Sequence, residues 1–97
     1  MNINESIEYP SSGILSKVIN KTAGNNLTLF CMAAGTDMSE HTSTKSGYVY
    51  VIEGNGTFVL EGEEIKMVPG KIIFMDANAK HSLKAEENTS FLLSLNG

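Results

Sequence analysis

Residues 48–53, YVYVIE, run straight into Gly54-Asn55-Gly56, and a second short apolar run, residues 57–60, follows at once. β-Branched and aromatic side chains fit a pleated, partly buried surface, and the glycines supply the positive φ that a hairpin turn needs. This unit of short strand and tight turn repeats along the chain. Glu61-Gly62 turns into a strand over 64–68. Pro69-Gly70 is a type II turn signal, since proline presets φ at one central position and glycine accepts positive φ at the next. Strands are predicted beyond it at 71–75 (KIIFM), 81–85 (HSLKA) and 90–95 (SFLLSL). Upstream, 14–19 and 27–32 are strands separated by a loop over 20–26, and no window there has a 3.6-residue period. Residues 33–47 form a long polar connection, of the kind that is more often functional than decorative in a small domain. About eight short strands at this spacing predict an all-β sandwich or barrel.

The 97 residues leave room for one core. Residues 1–13 are polar and broken by Pro10 and Ser11-Ser12-Gly13, so they are expected to form an arm, with a single barrel domain over 14–97. Net charge is −4, and the basic residues are seven scattered lysines with no arginine. Nucleic acid is therefore not an expected partner, and no guanidinium fork exists to clamp a carboxylate or phosphate. The N-terminal stretch lacks a signal-like basic and apolar pattern, and no apolar run is long enough to span a membrane. Together with a single cysteine, Cys31, this leads to the expectation of a cytoplasmic protein without a membrane partner. In a strand, Cys31 is expected to act as a small buried hydrophobe.

The chain has two histidines, His41 and His81, each at the mouth of a strand. Gly35, five residues, His41 and later Gly54 form one pattern; Asp76, Asn78 and His81 form a second. The pair resembles the two motifs of the cupin superfamily, which typically read G-x5-H-x-H-x3-4-E-x6-G and G-x5-P-x-G-x2-H. The resemblance spans roughly 27–95. It implies a small double-stranded β-helix, the cupin-like jelly-roll barrel, in which His41 and His81 converge on one interior site. It also implies a homodimer. Two departures stand out, because Ser43 occupies the second histidine position and Gly47 the glutamate position. Asp76 and Asn78 replace the proline and glycine of the second motif. The EHTS sequence at 40–43 is closest to a subset of single-domain cupins without an agreed activity.

Three readings of this site stay open. In the first, the barrel binds a small molecule with His41 and His81 as polar anchors and an optional divalent metal between them. In the second, the histidines hold one divalent transition metal (zinc, iron, manganese or nickel) in an isomerase or dioxygenase type of enzyme; a catalytic metal usually takes three protein ligands, and the third would have to be Cys31, Asp37, Glu40 or Asp76. In the third, the barrel is inert and each histidine is a hydrogen-bonded polar residue at its rim. If position 47 points inward, as the family's glutamate does, Val49 and Val51 share its face and line the pocket with Ser43. Tyr48, Tyr50 and Ile52 then form an outer stripe, available either to a dimer interface or as half-buried sheet surface.

Overall fold

The computed structural model describes residues 1–96. Among these residues, nine strands form two antiparallel sheets. The strands are β1 (Ile14–Thr22), β2 (Asn25–Met32), β3 (Asp37–His41), β4 (Ser46–Glu53), β5 (Gly56–Leu60), β6 (Glu63–Met67), β7 (Ile72–Met75), β8 (His81–Ala85) and β9 (Thr89–Asn96). One sheet has the order β1-β2-β9-β4-β7 and the other β3-β8-β5-β6. Apart from the β1–β2 and β5–β6 hairpins, successive strands cross from sheet to sheet, and the inner faces close on each other as a jelly-roll barrel. No helix among the described residues is long and apolar enough to cross a membrane.

Alternation decides which side chains fill the barrel. Phe30 and Met32 of β2, Val49 and Val51 of β4, Ile73 and Met75 of β7, and Phe91 and Leu93 of β9 all project inward from the larger sheet. Phe58, Met67, Leu83 and Ala85 meet them from the smaller one. Phe30 and Phe91, directly opposite in register, stack with ring centroids 5.2 Å apart.

Three turns differ in how they meet expectation. Val68–Lys71 closes with a Lys71 N–H to Val68 carbonyl bond of 3.0 Å and Gly70 at φ 89°, which is the type II geometry expected of Pro69-Gly70. The β5–β6 hairpin turns through Glu61 and Gly62, both at positive φ, as a two-residue loop requires. Gly54-Asn55-Gly56, by contrast, is a corner and not a hairpin, because β4 and β5 lie in different sheets. Gly54 (φ 112°) runs so close to Thr89 that a Cβ there would lie 2.5 Å from its Cα.

Two expected loops contain strand. The span 20–26 contracts to a tight β1–β2 hairpin, with Thr22 paired to Asn25. The connection over 33–47 contains β3, which short polar residues disguise and pairing with β8 creates. Nor does the N-terminal arm extend away. It makes one turn of 3-10 helix at Ile3–Ser6 and folds back, with Lys17 Nζ bonded to the Ser6 carbonyl and to Glu8, and the Tyr9 hydroxyl donating to Glu53 at 2.7 Å.

Candidate functional site

His41 ends β3 and His81 begins β8, and the two are cross-strand partners in register. Their ring centroids lie 4.1 Å apart, edge to face at 65°. The local cause is a β-bulge. Met38 pairs with Leu83 and His41 with His81, so three steps along β3 match two along β8. Strict alternation would place His41 on the face opposite Met38, and the extra residue returns it to the inner face. Both side chains consequently line one cavity.

Each imidazole is held by the same local contact. His41 Nδ1–H donates to the Ser39 carbonyl at 2.7 Å, and His81 Nδ1–H donates to the Ala79 carbonyl at 3.0 Å. Carbonyl oxygens only accept, so Nδ1 carries the proton of the neutral ring and Nε2 keeps a free lone pair. His81 is 7% exposed and lies parallel to Phe58, with centroids 5.8 Å apart. Burial lowers its pKa and the neighbouring His41 lowers it further, against the Ala79 hydrogen bond, which raises it. His41 is exposed, so the cavity opens to solvent beside it.

The cavity measures about 60 Å³, and every other side chain on its wall is hydrocarbon or thioether, including Phe30, Met38, Val49, Phe58 and Met75. Sequence reasoning had missed the aromatic and methionine wall, and the bulge that aims His41 leaves no mark in composition. A larger depression of about 700 Å³ lies over Asp37, Glu40, Thr57, Glu64 and Glu86 on the smaller sheet. It is a shallow acidic surface that neither imidazole borders.

The other residues expected at the pocket are placed as follows. Val49 lines the cavity. Val51 shares its face but sits deeper, packed in the core and off the cavity wall. Ser43 is also off the wall: β3 has ended, its hydroxyl accepts from the Lys45 amide, and its carbonyl accepts from the Asn78 amide at 2.6 Å. Asn78 adopts φ 67°, a left-handed conformation that asparagine tolerates, and so fills the role of the motif glycine.

Position 47 explains the missing glutamate in atomic terms. A Cβ on Gly47 would lie 1.8 Å from the Ser94 carbonyl oxygen, so β9 backbone occupies the place where any side chain would start. Cys31, fully buried, pairs with Ser90 on the outer side of its sheet, and Asp37 pairs with Lys84. Neither these two nor Asp76 borders the cavity, Glu40 borders only the outer depression, and no group of three or more His, Cys, Asp or Glu capable of holding a metal occurs among the described residues. The donor set therefore does not fit a three-ligand catalytic metal centre.

A closed barrel of this topology, with two inward imidazoles on adjacent strands, defines the class of small double-stranded β-helix proteins. The cupin domain model matches residues 28–95, and the chain belongs to that family. No curated protein matches the chain by sequence. Among solved structures it resembles a conserved protein of unknown function from Streptococcus pyogenes (TM-score 0.89, 21% identity, covering 99% of this chain and 84% of that one). It also resembles a cupin superfamily protein from Desulfitobacterium hafniense (TM-score 0.91, 18% identity, 99% and 88%). Salicylate 1,2-dioxygenase from Pseudoaminobacter salicylatoxidans matches at TM-score 0.82 and 19% identity, over 97% of this chain and 29% of that one. At these identities the likeness is one of fold.

Proposed function

We propose that this cupin binds a small molecule in the barrel interior, with His41 and His81 as its polar anchors. The observation that carries the reading is the in-register histidine pair, both rings lining one solvent-open apolar cavity with their tautomers fixed by backbone carbonyls. A few convergent polar groups in an apolar cavity are the usual composition of a ligand site. A thermal-shift screen of small metabolites tests it, because a ligand at about 100 times its Kd stabilises the fold by about 2.7 kcal/mol. The shift is expected to vanish in His41→Ala, whose side chain is exposed. A shift retained in full by both His41→Ala and His81→Ala would put binding elsewhere.

The second reading is a metal-dependent enzyme acting on a small organic substrate. It draws on the carbonyl bonds that orient both imidazoles, a common device behind metal-ligating histidines, and on the fold shared with a dioxygenase. With two ligands only, a divalent ion would be held weakly and exchange with solvent. Elemental analysis decides this: near-stoichiometric iron, manganese, nickel or zinc, lost in His41→Ala, would favour the enzyme. In protein purified without added metal, less than about a tenth of an equivalent, unchanged by that variant, would count against the enzyme.

We further propose a homodimer formed through the outer face of the larger sheet. Tyr48, Tyr50, Ile72 and Phe74 lie together there, Tyr48 and Phe74 with ring centroids 6.1 Å apart, and Phe74 is 74% exposed. None of these side chains is charged, whereas the outer face of the smaller sheet carries Asp37, Glu40 and Glu64. Two copies with net charge −4 each would meet on the first face without setting these acidic side chains against each other.

A further inference from the structure

The cavity presents acceptors and no donors. Both Nδ1–H groups are engaged by the Ser39 and Ala79 carbonyls, so each ring in its neutral form offers a guest only its Nε2 lone pair. The other side chains of the wall contribute no N–H, no hydroxyl and no cation. An anion entering here would lose its hydration and meet two lone pairs and hydrocarbon, an uncompensated burial of charge. A hydroxyl would donate to an imidazole and lay its carbon on Phe58 or Met38. Size narrows the class further: an apolar cavity of about 150 Å³ takes a benzene ring, and this one measures about 60 Å³.

Resting on the reading that the barrel interior binds a ligand, we propose that the pocket selects a neutral O–H donor, the hydroxyl end of a small alcohol or vicinal diol, and rejects carboxylates and phosphates. Two acceptors in one cavity leave a single hydroxyl with one partner and a vicinal diol with two. The diol is therefore the better-matched guest. The same complementarity separates this site from one built around arginine or lysine, which this wall does not contain.

The test uses the intact protein, stripped of metal by chelator, at pH 8. Ethane-1,2-diol is titrated against glycolate, and 1-propanol against propanoate, at matched ionic strength, while the ring Cε1–H and nitrogen resonances of His41 and His81 are followed by NMR. Saturable shifts are expected with the diol and the alcohol, with the paired carboxylates binding at least tenfold more weakly. Equal or tighter binding of glycolate or propanoate would overturn the selectivity and leave the binding reading intact. Nitrogen spectra showing the proton on Nε2 would overturn the selectivity at its premise. No ring response to any of the four probes would remove the binding reading and this inference with it.

Discussion

Burial of His81 against Phe58 sets the sign of one pH effect. Because its folded pKa is depressed, the unfolded chain takes up the proton first as pH falls below about 6.5. Stability from this group is complete above that pH and is lost on acidification, levelling off once the folded state is also protonated. Urea midpoints at pH 8 and pH 5 should therefore fall on the acid side, and the difference should shrink in His81→Gln. At Gly47 the issue is space. Gly47→Ala drives a Cβ into the Ser94 carbonyl, and overpacking of this kind should cost about 2 kcal/mol or more, read as a melting temperature lower by roughly 10 °C. Gly47→Glu, which writes the family's glutamate back into the sequence, should destabilise as much and yield no additional bound metal.

Among the elements, the β3 bulge has the clearest consequence for the site. Deleting Glu40 would remove the extra residue and leave His41 two steps from Met38, so that plain alternation then holds the ring on the inner face opposite His81. The expected result is a folded protein that keeps the ring-to-ring NOEs between His41 and His81, and loss of those NOEs would show that the bulge itself sets the ring's direction. The N-terminal arm does a different job. Cys31, Leu29 and Ser90 are on the outer side of the larger sheet yet fully buried or nearly so, and Tyr9 lies close to Cys31 and Ser90 with its hydroxyl on Glu53. Burial first, with Glu53 adding to it against Ser90, pushes the Tyr9 pKa up to about 12. The neutral phenol is thus favoured in the folded state, and the arm's contribution is intact below pH 10 and lost as pH rises toward 12. Tyr9→Ala should loosen this cover, so that a thiol reagent that does not react with native Cys31 modifies it well before global unfolding.

For the whole molecule, the two sheets divide the labour between inside and outside. Their inner faces make the core and the histidine cavity, while the outer face of the larger sheet ends at edge strand β7 with Ile72 and Phe74 in solvent. Phe74→Glu should convert the dimer into a monomer in sedimentation without lowering the thermal stability of the monomer by more than about 0.5 kcal/mol, since an exposed side chain contributes little to its own fold. A wild-type protein that sediments as a monomer at high micromolar concentration would remove the dimer.

The amino-acid order alone determined the class. Runs such as 48–51 and 81–85 alternate strictly, so their inward and outward faces follow from a period of two, and Pro69-Gly70 and Glu61-Gly62 carry the φ preferences of the turns they make. Those are local properties, decided within a few residues. The histidine pair became legible through motif spacing, whereas its geometry did not. β3 exists because β8 lies beside it, His41 faces inward because of one extra residue in a non-local pairing, and Gly47 lies against β9 backbone contributed from nearly fifty positions away. Register and close approach between distant strands are fixed only when the sheets close, and for this protein closure is what turns two separate imidazoles into a site.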